Sequence, residues 1–166
     1  MNQPNLFQKY CIDACAILDF WEIQNKTRPY HVKVKSFRVI WDYISKEIEE
    51  GSIILPKIVA DEVKLVTDNP ELKEWLKKHE KRFCDHDDST EELQKIVSKY
   101  NIYTKIKGSL ADAVLIAIAK TRGLTVITQE IYVKNQSMVS PKIPNVCEEF
   151  SVKWMNLPEF FEAEGL

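Results

Sequence analysis

The sequence predicts an α/β protein, a three-layer α/β/α sandwich around a mostly parallel central sheet. Short apolar runs (Tyr10-Cys11-Ile12, Ser52-Ile53-Ile54-Leu55 and Thr125-Val126-Ile127-Thr128) alternate with stretches of helical periodicity. The third run carries apolar residues on successive positions, as strands covered on both faces do. Between Ala113 and Ala119 every residue is apolar, so a helix there is packed on both flanks.

Each element follows from a local pattern. Tyr10-Cys11-Ile12 reads as a buried strand leading into Asp13, and Ala14 to Trp21 as a helical turn or more. Residues 23–41 read as a loop entering a helix. Phe37, Ile40, Trp41, Ile44 and Ile48 then recur at three- and four-residue steps until Gly51 ends the helix. After the strand at Ser52–Leu55, Pro56 opens a helix bearing Ile58, Val59, Glu62, Val63 and Val66, and a further helix bears Leu72, Trp75, Leu76 and His79. Ser89 with Glu92 three residues on predicts a capping box for the helix of Leu93, Ile96 and Val97. Ser109 is the expected cap of the Ala113–Ala119 helix, which Gly123 ends. Ser151 to Met155 is the expected last strand, and Leu157 to Ala163 the last helix.

The chain has 166 residues, 45% of them apolar and 29% charged, which suits one globular domain over 1–166. With 23 Lys+Arg against 25 Asp+Glu the net charge is −2, which excludes a protein that grips nucleic acid over its whole surface and leaves room for a local basic groove. The Ala113–Ala119 run is far short of the roughly 20 residues of a membrane helix. Met1 to Lys9 lacks a secretory signal pattern. Cys11, Cys15, Cys84 and Cys147 form no CxxC pair and no framework spacing; Cys11 and Cys15 read as small hydrophobes in a reduced, cytoplasmic protein.

The chemistry lies in acids that interrupt apolar surroundings. Asp13 directly follows the first strand, and Glu130 lies just past the strand ending at Thr128. Asp112 opens the most apolar helix, where free N–H groups favour an anion, and Glu62 shares a helix side with Val59, Val63 and Val66. In open parallel sheets ligands bind beyond the carboxyl ends of the strands. Converging carboxylates there suit Mg2+ or Mn2+, hard ions that prefer oxygen and support phosphodiester hydrolysis. Each acid taken singly is also explained as a helix-end or loop charge.

The chain resembles the PIN-domain ribonucleases, particularly an uncharacterised prokaryotic subgroup. The resemblance lies in Cys11-Ile12-Asp13-Ala14-Cys15-Ala16-Ile17-Leu18-Asp19, Ile58-Val59-Ala60-Asp61-Glu62-Val63, Leu110-Ala111-Asp112-Ala113-Val114-Leu115-Ile116-Ala117 and Val126-Ile127-Thr128-Gln129-Glu130. The tail from Lys142-Ile143-Pro144-Asn145-Val146-Cys147 to Asn156-Leu157-Pro158-Glu159-Phe160-Phe161 extends it. The resemblance implies an Mg2+- or Mn2+-dependent endoribonuclease, often the toxin of a toxin–antitoxin pair. Its partners would be RNA, an antitoxin protein and a second copy in a homodimer. Asp13, Glu62, Asp112 and Glu130 would be the metal carboxylates, and Thr128 would orient one of them through its hydroxyl.

This chain departs from the family pattern in two places. The fourth acid is more often Asp than Glu130, and Ala14 and Cys15 stand where Ser, Thr or Asn are common, leaving no hydroxyl there. These departures support an alternative, a catalytically weak RNA- or protein-binding module. A phosphotransferase with Asp13 as nucleophile is disfavoured, since the second Asp that chemistry places two positions on is here Cys15.

For RNA contact, Ile23–Trp41 carries Lys26, Arg28, Lys33, Lys35 and Arg38 without an acid, and Leu93–Ala111 carries Lys95, Lys99, Lys105 and Lys107. Lys33, Lys35, Arg38, Lys105 and Lys107 are the candidate phosphate contacts, with Tyr30, His31, Tyr100 and Tyr103 interleaved for base stacking. Asp85, Asp87, Asp88, Glu91 and Glu92 form an opposing acidic block. Cys84, His86 and His79 fit no zinc spacing. Trp21, Trp41, Trp75 and Trp154 read as core, and no GxxxxGK or GxGxxG sequence occurs.

Overall fold

The computed structural model describes residues 7–23, 37–106 and 109–166. Its elements run β1 (Tyr10–Ile12), α1 (Ala14–Ile23), α2 (Phe37–Glu50), β2 (Ile53–Ile54), α3 (Lys57–Val66), α4 (Pro70–His79), α5 (Thr90–Lys99), α6 (Ile102–Lys105) and α7 (Leu110–Arg122). β3 (Thr125–Ile127), α8 (Ile143–Glu149), β4 (Lys153–Met155) and α9 (Leu157–Glu164) complete them. The strands form a sheet of order β2-β1-β3-β4, and every pairing is parallel. Cys11 lies between Ile54 and Val126, and Val126 faces Trp154 across the next ladder. Beyond β2 the chain at Cys84 pairs in parallel with Pro56 and lengthens that edge.

The two faces of β1 show the layering. Tyr10 packs edge-on against Phe160 of α9 at 5.2 Å, and both Tyr10 and Tyr43 of α2 donate to Glu164. Cys11, turned the other way, feels Cys84, Arg122 of α7 and Cys147 of α8. Helices thus cover both faces of a parallel sheet, the α/β/α arrangement that its apolar strands require. The middle of α7, from Ala113 to Ala119, is at most 1% exposed because the helix packs on β1, β3, α3, α5, α6 and α8. Gly123 ends it at φ +68°, a left-handed conformation that costs a glycine little.

Trp41 lies 5.0 Å from Trp21 and 4.5 Å from Trp75, ring to ring, with Phe20 stacked at 5.5 Å. Trp154 differs from these: on edge strand β4 it is only partly buried and donates to Glu148. Val66, expected on an apolar face, is 63% exposed because it lies at the outer end of α3.

Several local expectations are corrected. Ser89 makes no cap bond: a 3₁₀ turn at Asp87–Ser89 runs straight into α5, and the Ser89 hydroxyl donates to Asp88 instead. Ser109 is already helical in φ and ψ and likewise makes no side-chain cap. The capping box falls at Asn156 and Glu159, where each side chain accepts the other's backbone N–H. The short helices α6 and α8 have no counterpart in the periodicity. At α8 the local signal is Pro144 in the first turn.

Candidate active site

Asp13 leaves the sheet at the carboxyl end of β1, its N–H still bonded to the Ile127 carbonyl at 3.0 Å. Its side chain is 3% exposed, and one oxygen, Oδ2, accepts two bonds. The buried Thr128 hydroxyl donates to it at 3.0 Å, and the Cys15 thiol at 2.5 Å. Cys15 Sγ in turn accepts the Gln129 N–H at 3.3 Å, while Thr128 Oγ1 accepts the Glu130 N–H at 3.2 Å. The turns after β1 and β3 are thereby joined around one carboxylate. Burial raises the Asp13 carboxyl above its usual range, the Cys15 and Thr128 bonds oppose this, and the charge of Glu130 adds to the rise.

Asp112 lies in the first turn of α7, where the helix dipole favours a negative charge. Burial nevertheless dominates and pushes its carboxyl up to about 8, with Asp13, Glu130 and Glu62 adding repulsion and Lys142 opposing it. Glu62, half-buried on α3, is raised by burial and then by Asp13. Its Oε2 is buried and has no hydrogen-bond partner. Glu130 is held from the other side: Oε2 accepts the Ile143 N–H at 2.7 Å, and Oε1 lies 3.4 Å from Lys142 Nζ. Gln129 turns away, its amide donating to Asp19 at 3.0 Å and accepting the Leu157 N–H at 2.8 Å.

The fold therefore brings Asp13, Glu62, Asp112 and Glu130 within one another's fields at the carboxyl end of the sheet. It does not draw them around a common point. Among the described residues no three His, Cys, Asp or Glu side chains are gathered closely enough to hold a metal ion. Electrostatic repulsion reaches several ångströms, whereas ligation needs oxygens within about 2.0–2.6 Å of the ion. The donor chemistry still fits a hard divalent cation: the groups are all carboxylates, and Glu62 offers an oxygen with no other bond to make.

Cys15 is the site residue that its type conceals. Instead of filling apolar space, its thiol donates to Asp13 and occupies the position for which no hydroxyl was expected. The expected base-stacking residues fare differently. Tyr100 and Tyr103 are each 2% exposed, inside the protein rather than on a loop, because the end of α5 and the short α6 both pack onto α7. Tyr30, His31, Lys33, Lys35 and Lys107 lie outside the described residues. Arg38 and Lys105 are exposed. Lys95 pairs with Glu91 and Glu92, and Lys99 with Glu149, so these two lysines are engaged within the protein.

The fold and these four acids define a parallel α/β protein with carboxylates in one another's electrostatic reach beyond the carboxyl ends of its strands. The chain belongs to the family described as "Domain of unknown function (DUF4411)", whose family model matches residues 10–166. Solved structures similar to it include FitAcB from Neisseria gonorrhoeae, at 17% identity and a TM-score of 0.48, covering 89% of this chain and 96% of that one. PAE2754 from Pyrobaculum aerophilum is similar at 16% identity and a TM-score of 0.42, covering 75% and 82%. The comparison with curated proteins gave no match. Among the described residues no helix is long and apolar enough to cross a membrane.

Proposed function

We propose that the protein is an endoribonuclease dependent on Mg2+ or Mn2+, with Asp13, Glu62, Asp112 and Glu130 as its metal carboxylates. The observation that carries this reading is Glu62 Oε2, a buried carboxylate oxygen with no hydrogen-bond partner. Burial and the three other acids also push the Asp112 carboxyl up to about 8, an electrostatic cost that a divalent cation would remove. The PIN-like motifs bring the same acids forward independently. They also supply the RNA substrate, the antitoxin partner and the homodimer as parts of the proposal.

A bound divalent ion would supply Lewis-acid stabilisation of the phosphate charge and a lowered pKa for water. The residues of this chain provide the rest. Cys15 and Thr128 fix the orientation of Asp13 and favour its ionised form by donating to Oδ2. Lys142 tempers the negative field at Asp112. Arg38 and Lys105, exposed, are available to phosphates that the acidic pocket alone would repel.

Labelled single-stranded RNA incubated with Mn2+, with EDTA, and with Asp13→Asn and Asp112→Asn variants tests the proposal. Cleavage by wild type, abolished by EDTA and by either substitution, is the expected result; equal cleavage by wild type and variants overturns it. A second reading, a binding module with little catalysis, is favoured by Glu130, whose oxygens are already engaged by Ile143 and Lys142. RNA binding without cleavage in Mn2+ supports that reading.

A further inference from the structure

Residues 131–142 lie between β3 and α8, and both ends of this loop close on Glu130. Glu130 stands just before Ile131, and its carboxylate meets the Ile143 N–H at 2.7 Å and Lys142 Nζ at 3.4 Å. Side chains fix the backbone in between. Asn145, itself buried, accepts the Val133 N–H at 3.0 Å and donates to the Val133 carbonyl at 2.7 Å. Gln136 accepts the Lys142 N–H at 2.7 Å and donates to the Tyr100 hydroxyl at 3.0 Å. At the tip the Ser137 carbonyl accepts the Ser140 N–H at 3.3 Å. The loop is thus held in one shape beside the acids.

Outward it presents Ile131, Tyr132, Lys134, Met138 and Val139, all exposed. Lys134 and Lys142 are its only charged residues. Lys134 pairs with no acid among the described residues, and Lys142, held loosely by Glu130, keeps N–H donors for another anion. Of the described tyrosines Tyr132 is the exposed one, at 51%, whereas Tyr100 and Tyr103 are buried. An acid-free positive segment draws a polyanion to a rim that the acids alone would make repulsive. A base stacks on an exposed aromatic face whatever its identity, and a ring on a fixed backbone does so at little ordering cost.

We propose that this loop is the rim over which a single strand of RNA reaches the site, one base stacking on Tyr132 and neighbouring phosphates meeting Lys134 and Lys142. This rests on the RNA substrate of the reading above and supplies its binding surface. Charge decides between nucleic acid and an apolar protein segment: the loop carries two cations and hydrogen-bonding Asn135, Gln136 and Ser137 among its aliphatic side chains.

The test follows the fluorescence anisotropy of a labelled single-stranded oligoadenylate in EDTA and in Ca2+, over a series of salt concentrations. It compares wild type with Tyr132→Phe, Tyr132→Leu, Lys134→Ala, Lys142→Ala and a control, Lys153→Ala, exposed on β4. Tyr132→Leu, apolar but without a π face, should bind at least about fivefold more weakly, and Tyr132→Phe as wild type does. Lys134→Ala and Lys142→Ala should each reduce the slope of log affinity against log salt by about 0.7, and Lys153→Ala should leave it unchanged. Wild-type affinity in Tyr132→Leu overturns the proposal and leaves the exposed loop to a protein partner. Equal weakening of Tyr132→Phe and Tyr132→Leu overturns it too, since the ring is then not what binds. So does a salt slope that neither lysine changes, or a wild type that binds no oligoadenylate at low salt. Cleavage in Mn2+ is read separately: binding that depends on Tyr132, with no cleavage by wild type, removes the nuclease reading and leaves this surface standing.

Discussion

The Cys15 thiol lies 2.5 Å from Asp13 Oδ2 and donates to it, two residues along the chain, while Thr128 reaches the same oxygen from the turn after β3. Both donors favour the ionised carboxylate against a burial that disfavours it. Cys15→Ala removes one of them, so Asp13 should ionise, and Mn2+ bind, only at higher pH. A hydrogen bond to a charged group contributes about 1.5–3 kcal/mol net, which corresponds to a shift of roughly one pH unit or more. Cys15→Ser retains a donor and should leave the profile near wild type. Mn2+ affinity measured from pH 5 to 9 checks both variants; coincident profiles for Cys15→Ala and wild type would show that the thiol has no such role.

Asp112 supplies a prediction of opposite sign for stability and for function. Its folded pKa is raised to about 8, so its contribution to stability is fully present below the unfolded carboxylate pKa and is lost as pH rises through about 8. Asp13 and Glu62 are shifted in the same direction. The metal-free protein should therefore melt at lower temperature at pH 8 than at pH 5. Asp112→Asn should flatten that dependence and exceed wild type in stability at pH 8, while losing Mn2+ binding and cleavage. Thermal melts in EDTA at the two pH values, beside a Mn2+ titration, provide the measurement.

The same residues show what could be read from the chain. The strands were legible because Cys11-Ile12 and Val126-Ile127 are apolar on both faces, and α7 because nothing polar interrupts Ala113–Ala119. The acids were legible because each breaks such a run. Cys15 was not: a thiol among apolar residues looks like packing, and its bond to Asp13 depends on the turn after β1 and on the Gln129 N–H, 114 positions away, that holds the sulfur. Tyr103, in a basic stretch, resembled a surface stacking residue, whereas its burial is decided by α6 packing on α7. Ser89 and Glu92 had the spacing of a cap, yet the preceding 3₁₀ turn had already changed the backbone there. The α8 helix spans only seven residues, too few for an amphipathic repeat to stand out.

Glu164 joins α9 to the sheet and to α2 by accepting from Tyr10 and Tyr43 at 2.5 Å each. Glu164→Ala leaves two partly buried phenols to be met by water alone. A loss of roughly 1–3 kcal/mol is expected. Urea denaturation should show a lower midpoint at an unchanged slope, since the surface exposed on unfolding is the same. Tyr10 begins β1 whereas Asp13 follows its other end, so Mn2+ affinity should stay at the wild-type value.

Glu130 has two tasks that substitution separates. Its Oε2 anchors the Ile143 N–H at the start of α8, and its charge adds to the repulsion at Asp13 and Asp112. Glu130→Gln keeps an oxygen that can accept the N–H and removes the charge; Glu130→Ala removes both. If the charge belongs to the cation site, both variants should weaken Mn2+ binding, and in both Asp112 should ionise at lower pH because one of its repelling neighbours is gone. Only Glu130→Ala should lose stability, by about 1–3 kcal/mol for an N–H left without its acceptor. Glu130→Gln should match or exceed wild type in EDTA at pH 8, where the lost repulsion counts most. Mn2+ titration with paired melts distinguishes the tasks: wild-type affinity in Glu130→Gln would make Glu130 solely the anchor of α8 and leave Asp13, Glu62 and Asp112 as the cation's carboxylates.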